Sequence, residues 1–235
     1  MTTAIILAGG LGTRLRSVVA DLPKPMAPVR GIPFLTYLLE TCYQANINNV
    51  ILAVGYKHDT ISGHFGSNYK TVELNYAIEH EPLGTGGGIR QALELLNDDE
   101  PVLILNGDTM FNLDLNAFLE QHLDTEADVS LALKPMHNFD RYGVVEFDDT
   151  GRITAFLEKM PRLEGHINGG VYALSPSVVT SRFQLGEKWS FEQAFLEKEL
   201  HQLNFQAFIS NGYFIDIGIP EDFEKAQHTL SVDSL

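Results

Sequence analysis

A single cysteine, Cys42, stands in a chain of 235 residues, so no disulfide can close within it. No run of about 18 apolar residues occurs, which leaves no transmembrane helix to expect. The chain begins almost at once with a strand-like segment, and no basic region precedes an apolar one as in a secretory leader. Positive charge is scarce: 16 Lys and Arg face 31 Asp and Glu, for a net charge of −15. That balance disfavours nonspecific binding to nucleic acid or an anionic membrane. It does not exclude a nucleotide, for which a local Arg/Lys site suffices. No long linker, low-complexity segment or hexapeptide repeat appears, so a trailing β-helix domain is not expected. What remains fits one soluble, cytoplasmic domain over residues 1–235, with ordinary hydrophobic content and a substantial core.

Glycine, by contrast, is concentrated. After the apolar run Ala4-Ile5-Ile6-Leu7, which reads as a buried first strand, comes Ala8-Gly9-Gly10-Leu11-Gly12-Thr13-Arg14. Glycines 9, 10 and 12 permit a tight turn and close approach to a ligand, with backbone N–H groups free to face phosphate oxygens. Arg14 adds a guanidinium fork suited to phosphate. Lys24 stands between Pro23 and Pro25, which stiffen its backbone. The loop is not a dinucleotide fingerprint, because Leu15 stands where the third glycine of G-x-G-x-x-G belongs. Nor is it a P-loop, because Gly12 is followed by Thr-Arg rather than Lys-Ser/Thr. It is a phosphate loop of a third kind.

Residues 17–30 are too irregular for regular structure and are expected to wrap the site. Helical spacing of Phe34, Leu35, Leu38, Leu39 and Cys42 predicts a helix over 33–45, with Cys42 a small core residue. Asn49–Val54 and Pro101–Leu105 read as buried strands, and 73–78 and 128–133 as further strands. Helices are expected at 59–65, 87–96, 115–124 and 220–230. Strand–helix alternation predicts a mostly parallel sheet whose ligand lies beyond the C-terminal strand ends. Gly9, Gly55, Glu81 and Asp108 each follow a predicted strand and so should converge. The second half reads differently, with a hairpin over 142–157, a strand over 167–174, an N-cap at Ser190 and a strand over 205–209. Trp189 reads as a packing residue. Asp108, just past a buried strand, suits Mg²⁺, which takes carboxylates together with substrate phosphates. Asp216, flanked by apolar residues, is not a free surface acid.

The segments G-G-L-G-T-R-L and P-K-P resemble the signature of the sugar-1-phosphate nucleotidyltransferases, and the resemblance runs along nearly the whole chain. It implies a Rossmann-like three-layer α/β fold, with a mostly parallel mixed sheet and a small sugar-binding β lobe. It also implies transfer of a nucleotidyl group from a nucleoside triphosphate to a sugar 1-phosphate, with Mg²⁺ and release of pyrophosphate. By resemblance, Leu7, Ala8, Gly9, Gly10, Gly12 and Thr13 bind nucleotide, and so do Glu81, Pro82, Gly84 and Thr85. Asp108 and Asp216 share the metal, while Arg14, Lys24 and Asp108 carry the chemistry. Asn106, Tyr142, Gly143, Glu158, Lys159, Asn168 and Gly169 fall on the sugar side. Residues 1–134 would be the nucleotide half and 135–235 the sugar half.

A carboxylate only accepts hydrogen bonds. If Glu81 faces the base edge it favours guanine, with two adjacent donors, over uracil or thymine, so GTP is the expected donor. The branch of guanylyltransferases acting on manno-heptose 1-phosphates is the most similar. Mannose-1-phosphate guanylyltransferases and N-acetylmuramate-1-phosphate uridylyltransferases are the alternatives. A sugar phosphate is already ionised near pH 7, so none of the eight histidines is given a role. From other classes, a non-catalytic nucleotide-binding regulator stays open and a nicotinamide-dependent oxidoreductase lacks its fingerprint. Both a monomer and a homo-oligomer are compatible with the sequence.

Overall fold

The computed structural model describes residues 2–10 and 22–231. Strand β1 (Thr3–Leu7) leads through a short turn at Lys24–Met26 and a two-stranded ribbon, β2 (Pro28–Val29) with β3 (Ile32–Pro33), into helix α1 (Phe34–Gln44). Then follow β4 (Asn49–Val54), α2 (His58–Phe65), β5 (Asn68–Tyr69), β6 (Val72–Ile78), α3 (Gly84–Leu93), β7 (Val102–Asn106), β8 (Thr109–Phe111) and α4 (Leu115–Asp124). The remainder comprises β9 (Val129–Phe139), β10 (Val144–Phe147), β11 (Ile153–Leu157), β12 (Arg162–Leu174) and α5 (Pro176–Thr180). A turn of π-helix (Phe191–Leu196), α6 (Glu197–Glu199), β13 (Phe205–Ile209), β14 (Phe214–Asp216) and α7 (Pro220–Thr229) complete it. No helix among the described residues is long and apolar enough to cross a membrane.

Strands β7, β1, β4 and β6 lie side by side and parallel. The apolar runs of β1, β4 and β7 are buried on both faces, as crossover helices require, while β6 is only partly buried. Along β1 the pleat sends Ala4 and Ile6 to one side and Ile5 to the other. The first side packs on Leu35, Leu38 and Cys42 of α1, and on Phe118 of α4 and Phe223 of α7. The second packs with Ile89 and Ala92 of α3, and with Phe191 and Phe195. Three layers result, in the expected α/β class. Burial pushes the Cys42 thiol up to about 12, so it stays protonated and serves as packing.

The second half adds antiparallel strands to the same sheet. β12 pairs with β7 through Val171–Leu174, with β9 along most of its length, and with β10 at Ile167. The pairing register of β12 with β9 shifts between Asn168 and Tyr172, a bulge where Gly170 takes a φ of +73°. Both β9 and β12 run beyond the expected strands. Of their outer parts, 135–139 and 162–166, only Phe139 is buried, in a small cluster with Val144 and Ile167, so no hydrophobic run marks them. Helix α3 begins at Gly84, ahead of the expected 87, because tertiary docking overrides the poor helix propensity of four glycines. Of the segment expected to be irregular, residues 22–30 hold only the Lys24–Met26 turn and β2.

Candidate active site

The parallel strands end on one side, and there the chain turns back on itself tightly. Ala8 N donates to Ala53 O at 2.8 Å and Gly107 N to Leu7 O at 3.1 Å. A Cβ on Gly107 would lie 2.2 Å from Leu7 O, so the strand-end turn before Asp108 has room only for glycine. A cavity of about 420 Å³ opens there. Leu7, Gly9, Gly10, Lys24, Pro82, Gly84, Thr85, Asn106 and Asp108 of the expected residues line it. Ala8 is fully buried behind it. Gly12, Thr13 and Arg14 lie outside the described residues.

Glu81 is exposed and does not line the cavity; Glu79 does. The Glu79 side chain is folded in under the first glycines. A Cβ on Gly9 or on Gly88 would stand 2.8 Å from its Oε1. Its Oε2 accepts from Leu83 N at 2.9 Å. Burial pushes its carboxyl above the ordinary glutamate value, and the Leu83 N–H opposes that shift. Periodicity does not single this residue out, because a period of two from the buried Ala77 falls on Glu79 and Glu81 alike.

Of the glycines of α3, Gly84 lines the cavity, while Gly86 and Gly87 are used for packing. A Cβ on Gly86 would fall 2.0 Å from the Trp189 indole, and one on Gly87 2.5 Å from Glu187 O. Gly86 N donates to Trp189 O at 3.1 Å and Trp189 N to Leu83 O at 3.0 Å. Trp189 is buried, stacked on Phe183 at 3.7 Å, and is a packing residue as expected. Gly86→Ala is therefore expected to cost about 3 kcal/mol of stability through overpacking. Denaturant unfolding checks this, and an unchanged midpoint would mean that the helix does not seat on Trp189 in this way.

The charged centre is built by a two-stranded pairing. β14 lies antiparallel to β8, with Asp216 opposite Thr109, and Ile217 N donates to Asp108 O at 2.9 Å. Two carboxylates far apart in sequence are thereby set side by side. Lys24, on its turn between two prolines, reaches both: its ammonium is paired with Asp108 Oδ2 and stands 3.9 Å from Asp216 Oδ1. Asp216 Oδ1 also accepts from Gly218 N at 2.7 Å. Burial and the neighbouring Asp108 charge hold the Asp216 carboxyl above its usual range, while Lys24 acts against them. Two mutually repelling carboxylates at one opening suit a hard divalent cation, which takes one or two carboxylates plus substrate phosphates. Among the described residues no group of three or more His, Cys, Asp or Glu could hold a metal by itself.

A second cavity, of about 260 Å³, adjoins the first. Asn106, Tyr142, Gly143, Lys159, Asn168 and Asp216 of the expected residues line it, together with Arg141, Gly170, Tyr172 and Glu192. Glu158 is exposed and outside that lining. Gly169 is spent on packing, since a Cβ there would stand 2.3 Å from the Phe111 ring. Arg141 is ion-paired with Asp222 on α7, which ties the closing helix to this wall. Asn106 and Glu192 line both cavities, so the two form one continuous cleft. Strong local motifs marked most of these positions. Glu79, Arg141, Tyr172 and Glu192 sit in none.

Known proteins resemble this chain along nearly its whole length. A guanylyltransferase for D-glycero-alpha-D-manno-heptose 1-phosphate from Aneurinibacillus thermoaerophilus is 52% identical over 97% of this chain and 97% of its own. One of the same name from Campylobacter jejuni is 44% identical over 94% of this chain and 96% of its own. The crystal structure of HddC from Yersinia pseudotuberculosis complexed with GMP-PN superposes with a TM-score of 0.87 at 37% identity, covering 98% of this chain and 100% of that one. The family described as nucleotidyl transferase matches residues 3–232. With a likeness spanning nearly its full length, this chain belongs to the nucleotidyl transferase family.

Proposed function

We propose that the chain transfers the guanylyl group of GTP to D-glycero-α-D-manno-heptose 1-phosphate, giving GDP-heptose and pyrophosphate. The observation that carries this reading is the single cleft in which Lys24 stands between Asp108, on the wall of the first cavity, and Asp216, on the wall of the second. It offers one end to a nucleotide, the other to a sugar, and concentrates charge where two phosphates must meet. The heptose is favoured by the two relatives that act on it, each matching more than nine-tenths of this chain. Residues 1–134 supply the nucleotide half and 135–235 the sugar half of one catalytic domain, acting in the cytoplasm.

An oxygen of the sugar phosphate attacks the α-phosphorus of GTP in line. The new P–O bond forms as the bond to the β-phosphate breaks, and pyrophosphate leaves with the electron pair. The attacking oxygen is already ionised, so no general base is needed. Positioning and charge neutralisation carry the rate. Lys24 contacts the α-phosphate or the incoming phosphate, Lys159 holds the sugar phosphate, and the backbone of the glycine loop faces the β- and γ-phosphates. Asp108 and Asp216 would hold Mg²⁺, which when bound offsets charge on the phosphate oxygens. Arg14 stabilises the departing pyrophosphate. Arg14→Ala is expected to reduce turnover by about 10²–10³-fold, and an unchanged rate removes that role.

Base selection passes from Glu81 to Glu79. Guanine presents N1–H and an exocyclic amine side by side, and a fixed carboxylate accepts both. Uracil and thymine would set their carbonyl oxygens against it. Pyrophosphate release with Mg²⁺ tests the whole reading, using GTP, ATP, UTP, CTP and TTP against a panel of sugar 1-phosphates. Release with GTP and the heptose alone supports it. Equal release with mannose 1-phosphate removes the sugar assignment, and release with UTP or TTP removes the role of Glu79. Nucleotide binding without release from any pair favours a regulatory module.

A further inference from the structure

Glu192 stands where the two cavities meet, and no motif or chemistry above gives it a task. It follows the cap residue Ser190 in the π-turn, and it is held from two sides. Its Oε2 accepts from Thr85 Oγ1 at 2.9 Å and from Ser190 Oγ at 3.0 Å. Thr85 Oγ1 is itself fixed by Phe191 N at 2.9 Å. The other oxygen, Oε1, makes no hydrogen bond among the described residues. Asn106, the other residue shared by the two cavities, repeats the pattern. Its Oδ1 is buried with no hydrogen-bond partner among the described residues. The junction therefore holds two acceptors that nothing in the described protein satisfies.

Both substrates are polyanions, so a fixed carboxylate between them is unfavourable unless the phosphates lie elsewhere. They have somewhere else to lie. Lys24 is at the paired aspartates, and Lys159 and Arg141 line the sugar cavity. That arrangement leaves Glu192 the uncharged face of the ligand. A carboxylate only accepts hydrogen bonds, so this face must donate. Guanine's donors belong to Glu79, which does not line the sugar cavity. We propose that Glu192 accepts hydrogen bonds from adjacent ring hydroxyls of the sugar 1-phosphate and, with Asn106, reads their pattern. Because the same carboxylate holds Thr85, it also fixes the sugar relative to the nucleotide wall. The proposal rests on the site being that of a sugar-1-phosphate guanylyltransferase.

Calorimetric titration tests it without relying on turnover. The heptose 1-phosphate and α-D-mannose 1-phosphate are titrated into wild type and Glu192→Gln, each loaded with a non-hydrolysable GTP analogue. The glutamine variant is expected to bind these sugars about tenfold or more weakly, and the GTP analogue within about twofold of wild type. Analogues of mannose 1-phosphate lacking the 2- or the 3-hydroxyl complete the cycle. At least one should bind wild type poorly and the two proteins almost alike. Glu192→Asp, which keeps the charge but withdraws the oxygens, should fall between them, and thermal unfolding shows that each variant is folded. Unchanged sugar affinity in the glutamine variant overturns the proposal while leaving the activity intact. Loss confined to the GTP analogue also overturns it, and assigns Glu192 to the ribose diol. If wild type binds neither sugar phosphate, the guanylyltransferase reading fails and takes this one with it.

Discussion

Asparagine in place of Asp108 is expected to lower the turnover of guanylyl transfer by about three orders of magnitude, near 4 kcal/mol of transition-state stabilisation. The shape is kept and one charge is lost at the point where the phosphates of both substrates gather. The fold should tolerate the change. Burial first, and then the Asp108 charge, raises the Asp216 carboxyl, so removing that charge relieves a repulsion, and Lys24 retains Asp216 as a partner. The backbone contact that sets the pair, Ile217 N to Asp108 O, needs no side chain. Pyrophosphate release gives the rate and thermal unfolding the stability. Activity within tenfold of wild type would place the chemistry elsewhere; lost activity together with collapsed stability would make Asp108 a structural residue.

Glu79→Gln is expected to reduce kcat/KM with GTP by about 10²-fold, because an amide must turn a donor toward one of guanine's two donors. Inosine triphosphate, which lacks the exocyclic amine, should be a poor substrate for wild type and lose less in the variant. The pH dependence carries a sign. Glu79 must be ionised to accept from guanine, and burial raises its carboxyl above the ordinary value. GTP affinity should therefore fall on the acid side at a higher pH than an exposed glutamate would give. Stability runs the other way. A raised folded-state value means that the folded protein holds the proton more tightly. This contribution is complete below the ordinary carboxylate value and is lost as pH rises through the folded one. At neutral pH, Glu79→Gln should thus unfold no earlier than wild type while binding GTP worse. Equal GTP affinity across the acid range, in wild type and variant, would sink the assignment.

Much of this architecture was legible in residue order. Helices α1 and α4 follow from the 3.6-residue spacing of Leu35, Leu38, Phe118 and Leu119, and the parallel core from short apolar runs bounded by glycine and polar residues. The phosphate loop, Lys24, Asp108 and Asp216 are set in strong local motifs, and Lys24 and the two aspartates meet in space. What escaped depends on docking between distant segments. Nothing local shows what the four glycines of α3 pack against, yet two of them make room for Trp189 and a third for Glu79. Glu81 and Glu79 differ by two positions along one strand exit, and only the packing of α3 decides which turns inward. Glu192 reaches the cleft because the segment 189–192 lies on α3, a contact across about a hundred residues of chain that no local pattern records. The outer parts of β9 and β12 pair through their backbones and bury only Phe139, so hydrophobic alternation does not report them.

The placement of β12 also governs how the chain is assembled during synthesis. When β1, β4, β6 and β7 have left the ribosome, their parallel sheet is ready on one side, but β7 still shows its outer edge. That edge is closed only by Val171–Leu174, so it stays open until residue 174 has emerged. Such non-local pairing is slow, and an exposed apolar edge recruits other chains. The nascent protein is thus most vulnerable after its parallel strands have been made, and the arrival of β12 ends that exposure.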